Sequence, residues 1–174
     1  DNLKRITSFN GFWQNMKYIE PIFNDLITDL KKDKRIEDAL LKEKNDRTML
    51  LVRRGDFAAQ GLDLDLSFYE QALIKSDIKN GYDIFTDDVE WVKNQKLFTK
   101  SDNIFPPSDD KDKVIELFSS MLTYKNFIVG NSTFSFWGAL VGSNTDSKIV
   151  ISKKFAQMLN LDSSYQFSNL IEID

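Results

Sequence analysis

The sequence predicts an α/β fold, in which a Rossmann-like parallel sheet carries helices on both faces and follows a short helical segment. Strand-like and helix-like segments alternate along most of the chain. The strand-like segments, such as 49–52 and 127–129, are continuous apolar runs, as in strands that are buried on both faces. Parallel strands joined by helices take right-handed crossovers, so we expect a doubly wound sheet.

The composition excludes several kinds of protein and site. The 174 residues are near the usual size of one domain, and 41% hydrophobic residues are enough for a core. The net charge of −4, from 23 basic and 27 acidic residues, argues against general nucleic-acid binding. Cysteine and histidine are both absent, which excludes disulfides, thiolate zinc sites and a histidine base. The sequence shows no membrane-spanning apolar run and no signal peptide, and because it begins at Asp1 without methionine we expect a piece of a longer protein.

Residues 1–46 are predicted to form the helical segment, and residues 47–174 the Rossmann-like domain. Pro21 suits a first helical turn, and the apolar residues that follow it recur at helical spacing. The charged run 30–35 predicts a solvated turn, after which a second short helix is expected.

The middle of the chain alternates strand and helix. A strand is predicted over 48–53 and another over Tyr82–Thr86, with a helix between them. Asp87 or Asp88 is a natural N-cap for a short helix that follows the second strand. The segment 96–99 then predicts a small strand.

The last third of the chain begins with a clear amphipathic helix, whose apolar stripe we expect to be core without chemistry. A buried strand over 126–130 leads into a helix that starts near Thr133. The last strand is predicted over 148–152, before a short helix over 154–159. The stripe consists of Val114, Leu117, Phe118, Met121 and Leu122.

Three of the predicted strands end in polar clusters, and the carboxyl ends of parallel strands share the edge of the sheet where ligands bind. The first cluster is Arg53, Arg54, Gly55 and Asp56. Arginine presents a planar fork of donors that matches phosphate oxygens, and glycine lets the backbone approach a ligand closely. The aspartate can hold one arginine in place. An Arg–Asp ion pair that only closes a loop is an equally good explanation.

The second cluster follows the strand at 126–130. The first amides of a helix are free donors at the positive end of its dipole, and hydroxyl side chains beside them make an anion site. Simple helix capping explains the same residues, and the aromatic member is better explained as core or pocket wall. The cluster consists of Asn131, Ser132, Thr133, Phe134 and Ser135.

The third cluster is the pair Asp87 and Asp88. Paired carboxylates can bind a metal ion, act as acid and base, or accept hydrogen bonds from a sugar. An N-cap together with a solvated acid is the better explanation for one of the two. The edge offers fewer oxygen ligands than a metal ion normally needs, so no metal site is predicted.

Two anion sites on one sheet edge can hold the two halves of a diphosphate. The arginine pair would take one phosphate, and the helix start would take the other. The glycine-rich fingerprints of dinucleotide-binding proteins and of P-loop ATPases are both absent. We therefore expect a diphosphate ligand in a protein outside these two classes.

Four motifs occur in a family-like order: LLVRRGDF, IFTDDVEWVK, MLTYKNFIVGNSTFSFWGAL and IVISKKF. Through them the sequence resembles the inverting α-1,2-fucosyltransferases, glycosyltransferase family 11, over about residues 11–155, and NSTFSFWGAL is the most specific part. The resemblance implies the GDP-sugar-binding C-terminal half of a GT-B-like enzyme. That enzyme would transfer fucose from GDP-fucose to a sugar hydroxyl, often of galactose, in polysaccharide or glycan synthesis. No metal or other cofactor is implied.

The resemblance also implies roles for residues and partners. Arg53 would bind the diphosphate and stabilise the leaving GDP, so it is the expected catalytic residue, while the base stays unidentified. The implied partners are the nucleotide-sugar donor and a glycan acceptor, without nucleic acid. The implied location is the cytoplasm, with peripheral association at the inner face of a bacterial membrane. The expected donor-binding residues are Arg53, Arg54, Gly55, Asp56, Asp87, Asp88, Asn131, Ser132, Thr133, Phe134 and Ser135.

Some features depart from the family pattern. Leu51 stands at the position of the family's histidine, and Leu117 stands at a position that is usually acidic. The chain also lacks the glycine-rich segment that opens the family's N-terminal half, so we expect it to bind GDP weakly and to show little transfer by itself. The alternative is a non-catalytic Rossmann-like domain that binds a nucleotide or a partner chain.

Overall fold

The computed structural model describes residues 15–161 and 169–174, within which six strands form a single sheet. Every strand pairing is parallel, and the order β3-β2-β1-β4-β5-β6 is that of a doubly wound Rossmann-like sheet. The predicted α/β class is therefore confirmed. The strands are β1 (Asn45–Val52), β2 (Tyr82–Thr86), β3 (Asn103–Phe105), β4 (Tyr124–Val129), β5 (Ile149–Ser152) and β6 (Leu170–Ile173).

Helices precede the sheet and connect its strands. Four of them begin after an aspartate whose side chain accepts a hydrogen bond from a first-turn backbone N–H, which satisfies a donor that the helix start leaves free. These caps are Asp33, Asp65, Asp88 and Asp110. The helices are α1 (Met16–Ile19), α2 (Phe23–Leu30), α3 (Lys34–Leu41), α4 (Gly55–Gln60), α5 (Leu66–Lys75), α6 (Val89–Lys93), α7 (Lys111–Met121), α8 (Thr133–Gly142) and α9 (Lys153–Leu159).

Alternate residues of the central strand β1 point into two different apolar layers. Leu50 and Val52 pack in the layer that contains α5 and α6. Met49 and Leu51 pack in the layer that contains α7, α8 and α9. Both faces of the strand are thus covered, which is why its sequence is a continuous apolar run.

The strands β1 and β4 are neighbours, but the helices that follow them lie on opposite faces of the sheet. A crevice opens between two such strand ends, and in doubly wound folds it is the usual place of a ligand. Gly130, directly after β4, lies so close to β1 that a Cβ there would be 2.8 Å from the carbonyl oxygen of Leu51. The polar residues that follow β1 and β4 are therefore brought to the same place.

The structure corrects several predicted elements. Lys96–Phe98, expected in a strand, forms a 3₁₀ helix, because the position beside β2 is taken by Asn103–Phe105. The strand Ile149–Ser152 is not the last one, since β6 pairs with it and extends the sheet. The first strand begins at Asn45 rather than at residue 48, and an additional short helix that was not predicted begins at Gly55.

The N-terminal helices pack against the helical layer of the sheet. Ile36 and Ala39 of α3 form an apolar cluster with Leu122 and Val141. The predicted turn lies at 31–33, between α2 and α3. The part of the predicted helical segment before residue 15 lies outside the described residues. Within the described ranges, no helix combines the length and apolar character that crossing a bilayer requires.

The predicted apolar stripe of α7 is only partly core. Leu122 is fully buried, whereas Phe118 is half-buried. Leu122→Ala should lower the free energy of unfolding by about 2–5 kcal/mol. Phe118→Ala should cost less than Leu122→Ala, because part of its ring already contacts solvent in the folded state. Denaturant unfolding measures both losses, and a larger loss for Phe118→Ala would contradict this burial pattern.

Candidate functional site

A cavity of about 480 Å³ opens at the carboxyl edge of the sheet, beside the crevice between β1 and β4. Its volume is in the range of small-molecule binding sites. Its walls come from the ends of β1, β2 and β3, from the segments that follow β3 and β4, and from α4, α7 and α8. The polar side chains that line it are Arg53, Thr86, Asp87, Ser108, Ser132 and Thr133.

Arg53 lines the cavity from the position directly after β1, and two carboxylates hold its guanidinium. Its Nη2 donates to Oδ1 of Asp56 at 2.5 Å, and its Nη1 donates to Oδ2 of Asp87. Its Cζ also lies 5.2 Å from the centre of the Phe57 ring. These two hydrogen bonds use two of the five N–H donors of the guanidinium, so it can still bind an anion. Asp56 is thus placed as an ion-pair partner of Arg53.

Arg54 does not line the cavity and instead holds the loop in place. Its Nη1 donates to Oδ2 of Asp63 at 2.6 Å, and its Nε donates to Oδ2 of Asp88 at 3.4 Å. Its Cζ lies 4.0 Å from the centre of the Trp91 ring, and only 19% of its side chain is exposed. The structure therefore places Arg54 and Asp88 behind the cavity, as supports of the loop that carries Arg53.

Asp87 connects the two arginines through its two oxygens. Oδ2 accepts from the guanidinium of Arg53, and Oδ1 accepts from the backbone N–H of Arg54 at 2.7 Å. Gly55 makes room for this carboxylate, since a Cβ at Gly55 would lie 2.5 Å from Oδ2 of Asp87. The glycine is therefore required by a close approach between neighbouring strand ends.

Gly55→Ala should displace Asp87 from Arg53. Overpacking of this kind lowers the free energy of unfolding by about 1–3 kcal/mol. Helix propensity acts in the opposite direction, because it favours alanine over glycine by about 1 kcal/mol. A net loss of stability would therefore come from the displaced carboxylate. Denaturant unfolding of Gly55→Ala, Asp87→Ala and the double variant measures the coupling between the two sites. In the Asp87→Ala background, Gly55→Ala should not lower the free energy of unfolding. Equal losses in both backgrounds would contradict the contact.

The second predicted anion-binding element is the start of α8. Thr133 is the first residue of the helix, and the side chain of Ser132 at the cap position makes no capping hydrogen bond within the described structure. Both residues line the cavity. The positive end of the helix dipole and the early backbone N–H groups of α8 therefore lie at the cavity wall.

Two members of the same cluster lie outside the cavity lining and hold the helix start in place. The Nδ2 of Asn131 donates to the carbonyl of Leu62 at 3.2 Å, and its Oδ1 accepts from the hydroxyl of Ser152 at 2.9 Å. Ser135 is fully buried, and its hydroxyl donates to the carbonyl of Ser132 at 3.0 Å. Asn131 thus ties the start of α8 to the turn after α4 and to the end of β5, and Ser135 fixes the first turn of α8.

The inner walls of the cavity are apolar. Phe85 at the end of β2 stacks on Phe105 at the end of β3, with 4.6 Å between the ring centres. Phe134 of α8 lines the cavity as well. Leu117 and Met121 of α7 complete this part of the wall, so the stripe that was expected to be only core also faces a cavity.

The contribution of β3 was missed because three residues carry too weak a strand signal. The sequence feature that could have indicated this strand is the pair Pro106 and Pro107, because a residue before proline is held in an extended conformation. The loop after β3 supplies Ser108 to the cavity. Trp91 and Asp63 were also missed, because their roles depend on where the side chain of Arg54 lies.

Carboxylates balance the positive charge around the site. In the described part of the chain, Asp87 is the carboxylate among the cavity-lining residues, and both of its oxygens already accept hydrogen bonds. Across residues 15–161 and 169–174, no three acidic, histidine or cysteine side chains come together as a ligand set for a metal ion. The arrangement can bind an anion through Arg53 and the start of α8.

Comparison with known proteins supplies the chemical context. The model of the family described as Glycosyl transferase family 11 matches residues 6–168. An O-antigen biosynthesis glycosyltransferase, WbnK, of Escherichia coli is 30% identical over 148 residues, which are 78% of this chain and 48% of that protein. An alpha-1,2-colitosyltransferase of Escherichia coli is 27% identical over 169 residues, 86% of this chain and 56% of that protein. The chain spans about half the length of these curated relatives. No solved structure matches it.

Proposed function

The chain belongs to glycosyl transferase family 11, and from this premise we propose that its cavity binds the diphosphate of a nucleotide-sugar donor, GDP-fucose. The reaction is transfer of the sugar to a hydroxyl of a glycan acceptor, with inversion at the transferred carbon. The observation that carries the proposal is that Arg53 and the start of α8 line one cavity at the crevice between β1 and β4.

The two phosphates have different partners. One phosphate lies against the remaining donors of Arg53, whose planar fork matches phosphate oxygens. The other lies against the first backbone N–H groups of α8, beside Ser132 and Thr133. Because these partners follow two different strands, they hold the two halves of the diphosphate from two sides.

The same groups assist the chemical step. The acceptor's hydroxyl oxygen bonds to the sugar carbon on the face opposite the diphosphate, and the hydroxyl proton is released. The bond between that carbon and the diphosphate oxygen breaks, and negative charge develops on the leaving GDP. Arg53 and the dipole of α8 stabilise that charge, which makes Arg53 the catalytic residue of this proposal. We assign Asp87 to holding Arg53, because its Oδ2 accepts from the guanidinium of Arg53 and its Oδ1 accepts from the backbone N–H of Arg54.

We also propose the class of acceptor, the place of the reaction in the cell and its independence of metal ions. The relative named for O-antigen biosynthesis favours a polysaccharide acceptor. The proposed place is the cytoplasm, at the inner face of a bacterial membrane. Metal ions are not required in this proposal, because Arg53 and α8 supply the positive charge that the diphosphate needs.

Titration calorimetry of the 174-residue chain with GDP, GMP and guanosine tests the proposal. GDP should bind most tightly and guanosine least, because each phosphate adds charge-assisted hydrogen bonds. Equal affinities for the three ligands, or the absence of GDP binding, would overturn the diphosphate site. EDTA should leave the GDP affinity unchanged, whereas a gain with Mg²⁺ that EDTA reverses would contradict metal independence.

A further inference from the structure

We infer that Asp63 and Asn131 are positioning residues, which set the separation of the two diphosphate-binding elements through the turn after α4, residues 61–63. The inference rests on the proposed function, since it takes one phosphate to lie at Arg53 and the other at the start of α8. A ligand that binds two elements at once depends on their separation, whereas a ligand that binds one of them does not. The two residues should therefore matter more for a diphosphate than for a monophosphate.

The sheet itself does not fix this separation. The register of the β1–β4 ladder runs to the pair Leu50 and Ile128. Arg53 and Asn131 each lie three residues beyond that pair, since 53 − 50 and 131 − 128 both equal three. The two segments that carry the anion-binding groups are therefore placed by contacts other than the ladder.

An ion pair joins the turn after α4 to the segment that carries Arg53. Nη1 of Arg54 donates to Oδ2 of Asp63 at 2.6 Å, and only 19% and 22% of the two side chains are exposed. Solvent screens a partly buried pair less than a surface pair. Because Arg54 directly follows Arg53, the ion pair holds the turn at a fixed place relative to the first anion-binding element.

Helix α4 and the turn form a closed loop with this ion pair. The helix ends at Gly61, whose φ of 65° is a left-handed conformation that glycine adopts freely. The backbone N–H of Leu62 then donates to the carbonyl of Phe57 at 2.9 Å. The ion pair and these backbone contacts thus hold the turn and the arginine segment together as one unit.

An amide joins the same turn to the start of α8. Nδ2 of Asn131 donates to the carbonyl of Leu62 at 3.2 Å, and its Oδ1 accepts from the hydroxyl of Ser152 at 2.9 Å. Ser152 is 5% exposed, so it holds the amide from the buried side. Asn131 directly precedes Ser132, the cap residue of α8. The ion pair and the amide therefore act in series between the two anion-binding elements.

Titration calorimetry of Asn131→Ala with GDP and GMP tests the inference. The ratio of GDP affinity to GMP affinity should fall about 3- to 10-fold, because one neutral hydrogen bond contributes about tenfold at most. GMP has a single phosphate and does not bridge the two elements. A general loosening of the fold would weaken both ligands alike. An unchanged ratio would overturn the inference, whether both affinities fall or neither does.

Asn126→Ala is the matched control. Asn126 lies nearer the amino end of β4, and its Oδ1 accepts from the backbone N–H of Lys148 at 3.2 Å. It therefore also joins β4 to a neighbouring segment through an amide, but away from the carboxyl edge. Asn126→Ala should keep the wild-type ratio. A fall as large as that of Asn131→Ala would overturn the inference.

Asp63→Ala tests the other link, and here charge and positioning predict opposite signs. Loss of a carboxylate would by charge alone strengthen anion binding, and more for GDP than for GMP, because GDP carries more negative charge. Loss of positioning should instead lower the ratio. In the double variant the ratio should fall no further than in the single variant with the larger effect, because the links act in series. A higher ratio in Asp63→Ala, or additive losses, would overturn the inference.

Thermal unfolding of each sample shows whether the fold is retained. If Asn131→Ala does not fold, Asp63→Ala decides alone, since it breaks the same path at a different residue. A wild-type chain that binds GDP no more tightly than GMP would overturn the proposed function and the inference together. A wild-type preference for GDP that both variants retain in full would overturn the inference and leave the diphosphate site intact.

Discussion

Replacing Arg53 with alanine should weaken GDP binding by about 10- to 150-fold, because a hydrogen bond to a charged group contributes about 1.5–3 kcal/mol. Arg53→Lys should give an intermediate affinity, since lysine keeps the charge but cannot form the planar fork. Titration calorimetry measures both variants against the wild type. Thermal unfolding of the same samples shows whether the fold is retained when Asp87 loses its partner.

Arg35→Ala is the matched control for this measurement. Arg35 also has two carboxylate partners, Asp33 at 2.7 Å and Asp112 at 3.0 Å, and its side chain has the same exposed fraction as that of Arg53, 35%. It lies on α3 and is not among the residues that line the cavity. Its removal should leave the GDP affinity unchanged. If Arg53→Ala bound GDP as tightly as the wild type, the role of Arg53 in the donor site would be wrong.

Asp83→Asn should lower the free energy of unfolding by about 3–5 kcal/mol, the usual cost of removing one partner of a buried ion pair. Asp83 lies near the amino end of β2 and is 3% exposed. Its carboxylate accepts two hydrogen bonds from Arg47, at 2.9 and 2.6 Å, one from the hydroxyl of Tyr124 at 2.7 Å, and one from Asn103 at 2.8 Å. An amide carries no charge and has only one accepting atom. Denaturant unfolding measures the loss.

Asp102→Asn controls for the surface part of the same network. Asp102 accepts from the guanidinium of Arg47 at 2.7 Å, but 52% of its side chain is exposed. Ion pairs that reach solvent contribute about 1 kcal/mol or less. A loss for Asp102→Asn as large as that for Asp83→Asn would show that burial is not the cause.

The pH dependence of stability provides an independent test of the Asp83 network. Burial raises the pKa of Asp83, but hydrogen bonds from Arg47, Tyr124 and Asn103 outweigh burial, so its folded pKa lies below the ordinary value of 3.8. A carboxyl group with a lowered folded pKa stabilises the protein above its unfolded pKa, and this contribution is lost as the pH falls through the folded value. The stability difference between wild type and Asp83→Asn should therefore shrink below about pH 3.8. A constant difference across that range would contradict the network.

The fold class could be predicted because its signals are local. The apolar run 49–52 and the helical stripe of α7 depend only on neighbouring residues, and so do the aspartate caps of the helices. The strands that escaped prediction, or were misplaced, are those at the two edges of the sheet. Asn103–Phe105 is short, and Leu170–Ile173 is only partly buried, so their identity depends on pairing with β2 and β5.

The sequence also determined which polar residues meet at the carboxyl edge, because a parallel sheet places all its strand ends together. It did not determine which of two adjacent arginines reaches the cavity. Arg53 continues on the side of Leu51, toward the layer of α7 and α8, and Arg54 continues on the side of Val52, toward Trp91. That choice follows from the way successive residues at a strand end point to opposite faces.

The sequence by itself thus determined the α/β class, the edge of the sheet that carries the site, and the residue types that can bind an anion. Only the tertiary structure decided which of those side chains line the cavity and which are held by other residues. Asp87 is 34 positions from Arg53, and Asn131 is 69 positions from Leu62. Such partners meet through the packing of helices on the sheet, and no local spacing in the sequence encodes that packing.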